Sequence, residues 1–458
     1  MPRNDVLVHL DGLSRLTAVE LGVGISNNAA LESIAGLGNL ATFNSLTIRD
    51  NPVLTRIDGF DDVTSVEYDI TIDGNTSLES VSGFGNVSTI GSYMTITGNS
   101  ALTEMDGFGT LTSVGGDVQI ERNDALASLD GLGNLTTVGG NIMIGWGTGL
   151  TYLDDLSSLS TVGGDLTIVR NDALLDLNGL SSLTSIGGDL VIQDNPALAN
   201  VDGLSGLTEI KGDAIFAGTH ALTNVNGLSG VTRIEGSLTI AEQVLLESLD
   251  GLDSLTTVRT DLLIRDNAAL ENLAALGSLT RVGRNLSIEN NAGLVSLDGL
   301  SSLDSVGGNL SVRNNVLLSA CSCGLGALLS TDSIGGLITI ANNLPDCNTA
   351  EEILATTCSG PTAVEAPSAV PGAFALHANY PNPFQRQTEI TFALPERCAV
   401  RLLLYDTTGR TLGTLIDVTL QPGTYHYTWQ AEGLPSGVYF YRLEAGAYRE
   451  TRNMLLVR

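Results

Sequence analysis

Few residues in this 458-residue chain are arranged so that they could do chemistry. The clearest group is Cys321, Cys323, Cys347 and Cys358, four of the five cysteines within a short segment. Such thiols can form two disulfides in an oxidising compartment, by any of three connectivities, or hold zinc as a C-x-C…C…C set. Their irregular spacing favours disulfides, which makes all four candidate disulfide residues. Cys398 stands apart from them. The four histidines, His9, His220, His377 and His426, are scattered, and no G-x-S-x-G, H-E-x-x-H or phosphate-binding P-loop occurs. No catalytic residue, metal site or cofactor is therefore expected, and the chain reads as a non-enzyme. A recurring Gly-Gly-Asp-Leu superficially resembles calcium-binding G-G-x-G-x-D nonapeptides, but the further glycine is missing and the period is wrong.

These residues sit on a repeat. Leucines from Leu7 through Leu31, Leu54 and Leu78 to Leu294 open units of 24 residues, one unit being 23, and a longer fourteenth unit begins at Leu318. The pattern is L-x-x-L-x-G-L-x-x-L-T-x-V-G-G-D-L-x-I-x-x-N-x-A. Positions 1, 4, 7, 10, 13, 17 and 19 are apolar. The two-residue step from 17 to 19 is strand alternation, and the three-residue steps before it fit a looser arc. Gly at 6, 14 and 15 marks corners where a side chain would clash or φ must be positive. Position 22 carries Asn28, Asn51, Asn75, Asn99, Asn123, Asn171, Asn195, Asn267, Asn291 and Asn315. Buried at a corner, these amides would bond the next coil as a ladder. Coils stacked about 4.8 Å apart give a rod of roughly 65 Å. The expected fold is all-β: a right-handed parallel β-solenoid of about 14 coils, then a disulfide-bonded cap, then a small Ig-like β-sandwich.

The net charge is −30. Beyond residue 372 there are 8 Arg and 7 Asp plus Glu, so the residues before it hold 44 acidic against 13 basic side chains. Such a surface repels phosphate and excludes nucleic acid as a partner. Lys211 is the single lysine, a bias that a salty habitat and genome base composition explain equally well. No apolar run reaches the roughly 20 residues of a transmembrane span.

Three units depart from the pattern together. Gly145-Trp146-Gly147 replaces the Asn corner, with Tyr152 just beyond, and Phe216-Ala-Gly-Thr-His220 and Ala241-Glu-Gln-Val244 do likewise. Local repacking where the Asn column is lost is the simpler account. The sharper one makes Trp146, Tyr152 and His220 ligand contacts, in a localised patch around Trp146 and Phe216. An alternating column of Arg265, Glu289 and Arg313 reads as a salt-bridged ladder in preference to a sugar-cleaving cluster.

The repeat fails after Leu318. A cap is expected over 318–358, with a helix beginning near Asn348 or Thr349 and capped by Glu351 or Glu352. The solenoid domain is therefore set at 1–358, a Pro-rich linker at 359–374, and a β-domain at 375–458 with strands at Thr388–Phe392, Ala399–Tyr405 and Gly437–Leu443. Met1-Pro-Arg-Asn-Asp5 is not a signal peptide, and Leu7 opens a full repeat; a start upstream of Met1 is the expectation.

Two resemblances follow. The unit Gly163-Gly-Asp-Leu-Thr-Ile-Val-Arg-Asn171 at a 24-residue period resembles the leucine-rich repeats of receptor L domains and of bacterial and fungal surface proteins. The tail carries Asn379-Tyr380-Pro381-Asn382-Pro383-Phe384, then Leu404-Tyr405-Asp406 with Gly409-Arg410, then Leu434-x-Ser436-Gly437-Val438-Tyr439. That order resembles the type A C-terminal sorting domain of the type IX secretion system of Bacteroidetes-type Gram-negative bacteria. The resemblance implies outer-membrane secretion machinery as a partner and a secreted or outer-membrane surface-attached product. It leaves three functions open: adhesion or binding through an unknown protein or glycan ligand, a passive surface or matrix component, or a carbohydrate-active β-helix enzyme.

Overall fold

The computed structural model describes residues 3–356, 362–363, 373–396, 398–420, 422–431 and 434–457. They belong to two units, Met1–Leu354 and Ala355–Arg458. Cys358 and most of the expected linker lie outside the described residues.

In the first unit, alternation at positions 17 and 19 produces one short strand per coil. These strands add side by side in parallel, from Gly22–Ser26 beside Ser45–Arg49 to Leu310–Arg313 beside Ile338–Ala341, in a single 14-stranded sheet. Register is fixed because a one-residue slip would turn the apolar positions outward. Position 13 makes two-residue strands that collect into smaller sheets of six and five strands, and position 4 adds a two-stranded one, Arg56–Ile57 beside Ser80–Val81. The looser arc is a single 3-10 turn, such as Asp106–Phe108.

The interior is built from the apolar columns. In one coil Leu102, Met105, Phe108, Leu111, Val114, Val118 and Ile120 are all 4% exposed or less. Phe60, Phe84 and Phe108 stack face to face at 5.2 and 4.9 Å, close to the strand spacing. Glycine at positions 6 and 14 answers to close approach. A Cβ on Gly203 would stand 1.7 Å from the Leu177 carbonyl oxygen, and one on Gly115 2.1 Å from that of Gly91.

At the end of the stack the arc is replaced by helix α1, Ser322–Leu329, which buries Leu325 and Leu328 and packs on Asp298–Leu300. The repeat pattern marks this segment only as an interruption. The last strand, Ile338–Ala341, leads to helix α2, Ala350–Ala355. Thr349 Oγ1 accepts the Glu352 N–H at 3.1 Å while the Glu352 carboxylate accepts the Asn348 N–H at 3.0 Å, a capping box. Cys321 and Cys347 form a disulfide, and Cys323 is also disulfide-bonded. Oxidised sulfurs are not ligands, so the zinc alternative is set aside.

In the second unit two antiparallel four-stranded sheets share one core. One holds Gln387–Leu394 against Gly423–Gln430; the other orders Thr411–Leu420, Cys398–Tyr405, Gly437–Ala445 and Tyr448–Leu456. Phe392, Leu402, Tyr441 and Leu443 are fully buried between them. This fits an Ig-like domain. Cys398 is a free thiol here, and burial raises its pKa.

Candidate functional site

Two side-chain ladders, one of Asn amides and one mainly of Asp carboxylates, hold the coils in register. At position 22, Asn99 Oδ1 accepts both the N–H and the Nδ2–H of Asn75, at 3.1 and 3.2 Å, while its own Nδ2 donates to Ile72 O at 3.0 Å. The same set recurs from Asn28 to Asn123, between Asn171 and Asn195, and from Asn267 to Asn315. A second ladder runs along position 16. Asp165, Asp189 and Asp213 each accept the backbone N–H of the matching residue one coil on, at 2.6–2.7 Å. The repeated Gly-Gly-Asp is thus structural. Its sequence signal was an acceptor side chain in nearly every unit, missed because stacking register is needed to see what it faces.

The corner at position 21 is left-handed throughout, with φ of 53–61° at non-glycine residues from Asn27 and Asp50 to Asn314. Asn, Asp and Gly tolerate this region, and a bulky side chain is disfavoured. Trp146, at φ 53°, is the single aromatic residue among them. Around it the chain changes. The paired strands Ile142–Gly147 and Leu166–Asn171 run six residues where most of their neighbours run four. A Cβ on Gly145 would stand 2.3 Å from Val169 O, so only glycine fits there. Gly147 removes a ladder amide, and further along the stack Thr219 and Gln243 replace it again.

Trp146, Thr148, Arg170, Asp172, Asp194, Pro196, Gly218 and His220 line an open groove of about 450 Å³ where the ladder is interrupted. The groove lies between the position 21 and position 23 columns of four successive coils. The Arg122 guanidinium stacks over Trp146 at 5.4 Å, and Arg170 Nε donates to Asp194 Oδ2 at 3.3 Å. The groove therefore combines an aromatic face, fixed cationic donors and carboxylate acceptors. Trp146 and His220 both line it, three coils apart; Tyr152, exposed, does not. Phe216 is completely buried, which corrects its place in an exposed patch: position 19 faces the core. Arg170, Asp172 and Asp194 were not singled out in the sequence, because each looks like an ordinary solvated charge.

The outward positions beside the groove also lose charge. In the position 20 column Gly145, Val169, Gln193, Ala217 and Ala241 carry none, between Glu121 on one side and Arg265 on the other. Toward the ends of the sheet, charge returns as pairs: Arg49 with Asp73 at 2.8 Å, and Arg313 with Glu289 at 2.9 Å. Burial pushes the Glu289 pKa up, but hydrogen bonds from Ser311 and Arg313 outweigh it and hold the group below its usual value. Arg265 pairs with its neighbour Asp266 at 3.6 Å. Among the described residues, no cluster of His, Cys, Asp or Glu is placed to hold a metal ion.

In the tail, the Asn379–Phe384 motif fastens the closing strand. The buried Asn379 donates its N–H to Tyr441 Oη at 2.8 Å and its Nδ2 to Thr388 Oγ1 at 2.8 Å. Asn382 Oδ1 accepts the Leu455 N–H at 2.8 Å, and Phe384 bonds Leu455 and Val457 through its backbone. Phe384 packs edge-on against Trp429, while Tyr380 stays 80% exposed. Asp406 folds the next motif into a turn. Its carboxylate accepts from Thr408 and Arg410, and its pKa is held down at about 2, mainly by the Thr408 hydroxyl. Gly409 closes that turn at φ 82°, and the Tyr439 hydroxyl donates to Pro435 O beside Ser436 and Gly437.

Residues 378–457 match the family described as the secretion system C-terminal sorting domain. No curated protein matches the chain. The chain is thus a β-solenoid joined to a sorting tail. That tail implies interaction with the type IX secretion machinery and export to the medium or to the outer-membrane surface. Among the described residues, no helix is long and apolar enough to cross a membrane.

Proposed function

We propose that this is a non-enzymatic binding or adhesion protein of a Bacteroidetes-type Gram-negative cell, with the solenoid as scaffold and the Trp146–His220 groove as its ligand seat. The solenoid is a leucine-rich repeat of the receptor L-domain kind on this reading, supported by the 24-residue period and the position 22 ladder. The observation that carries the binding role is the coincidence of departures. The aromatic corner, the interrupted ladder and the uncharged strip fall on neighbouring coils, whereas a passive matrix protein has no reason to differ there.

A binding screen of the oxidised chain against glycans and cell-envelope fractions tests this. No binding at all would leave the passive structural role, and binding that survives Trp146 substitution unchanged would refute the groove as the ligand seat. For the tail, a reporter carrying residues 359–458 behind a signal peptide should leave a cell that has this secretion system; retention in the periplasm refutes the assignment.

A further inference from the structure

We infer that the groove takes a linear, neutral oligosaccharide laid along the solenoid axis. This rests on the reading of the groove as the ligand seat and gives the ligand its class. The argument begins with geometry. The groove is lined from four successive coils, so it is roughly 15 Å long at the coil spacing. A pyranose ring with its linkage oxygen, built from bonds of about 1.4–1.5 Å, spans on the order of 5 Å. Successive coils therefore offer equivalent positions to successive sugar rings.

Chemistry sets the rest. Arg122 covers Trp146 from the preceding coil, and the groove extends over the coils that follow. The indole thus ends one side of the groove and presents apolar surface to the C–H face of a sugar ring. Beyond it, the Arg170–Asp194 pair supplies a donor and an acceptor already fixed relative to each other. Asp172 and His220 face them across the groove. Hydroxyls that both donate and accept match such a set, because a carboxylate needs donors and a guanidinium needs acceptors. Gly218 leaves the far end open, so a chain can run on. A polyanionic glycan is disfavoured: the two carboxylates line the groove, and the residues up to 372 carry 44 acidic against 13 basic side chains.

The chain has two tryptophans, and Trp429 is only 7% exposed in the other unit, so emission changes on titration report Trp146. The full oxidised chain is titrated with β-1,4-glucose, β-1,4-mannose, β-1,3-glucose and N-acetylglucosamine oligomers of increasing length, and with oligogalacturonate. At least one neutral series should shift the emission, with affinity rising up to about three rings and then levelling. Trp146→Gly, the residue that already occupies this corner at Gly74, Gly98 and Gly218, should weaken binding by calorimetry about tenfold or more. Arg170→Ala should weaken it as well. Oligogalacturonate binding as tightly as the neutral oligomers, or affinity independent of length, overturns the inference. If no oligosaccharide binds at millimolar concentration while an envelope fraction still captures the wild type and not Trp146→Gly, the sugar class falls and the ligand seat stands. If neither binds, both fall.

Discussion

Gly147→Asn should stabilise the solenoid. Asn99 shows what the missing side chain does in an intact coil: it accepts two N–H groups from Asn75 and donates to Ile72 O and Thr97 O. At the interrupted coil Asn123 keeps its bond to Ile96 O at 2.8 Å but has no side-chain acceptor at residue 147. There is room for one. Gly147 does not have a left-handed φ, a Cβ there would meet only Asn123 O at 3.7 Å, and a small cavity bounded by Ile120, Leu126 and Leu150 lies beside it. The three of these hydrogen bonds that reach the preceding coil, at about 1 kcal/mol each, and about 0.5 kcal/mol from restricting the unfolded chain, exceed the roughly 1 kcal/mol needed to fix the amide. The net is about 2–3 kcal/mol. Urea unfolding followed by circular dichroism, with hydrogen exchange at the Asn123 and Asp172 amides, measures it. The midpoint and the protection of both amides should rise. An unchanged or lower midpoint would show that the Gly145–Gly147 corner is not a broken ladder, and that no stability is given up beside Trp146.

Three further outcomes are expected. Reducing the Cys321–Cys347 disulfide, which closes 26 residues, should cost about 3 kcal/mol and show as faster hydrogen exchange in α1 and the last strand, with distant coils unaffected. Tyr441→Phe deletes the hydroxyl that accepts the Asn379 N–H and donates to His377 O at 2.9 Å; tail stability should fall by about 1–3 kcal/mol, measured as a lower unfolding midpoint with the solenoid transition unchanged. Burial raises the pKa of half-buried Asp298, against a hydrogen bond from Ser296 that lowers it. Its charged form is thus disfavoured in the folded state, a penalty present at neutral pH and relieved as pH falls through the raised value toward the usual carboxylate range. Asp298→Asn should raise the melting temperature at pH 7, and the difference should vanish in acid; a difference that persists in acid would place the effect elsewhere.

The repeat, its period and the columns that turn inward were legible in the amino-acid sequence alone, because burial of a 17/19 strand pair leaves its mark in every unit and thirteen units repeat it. So was the place of the position 22 amides at a buried corner: one polar residue type recurring among apolar columns must bond its own kind in the neighbouring coil to lie inside. The tail was legible through ordered local motifs, each a turn or strand end with its own chemistry. Helix α1 was not, because Ser322 to Leu329 lacks a capping side chain and its two buried leucines, Leu325 and Leu328, keep the three-residue spacing of the leucine columns one residue out of register. The position 16 ladder and the groove come into being only in the folded chain. Trp146, Arg170, Asp194 and His220 come from four different coils, and their neighbourhood exists because parallel stacking sets residues 24 apart in sequence at one strand spacing. Within any one coil each is a lone surface side chain. In the tail the same holds for Asn379 and Tyr441, which lie 62 residues apart in sequence until the two sheets close over their core.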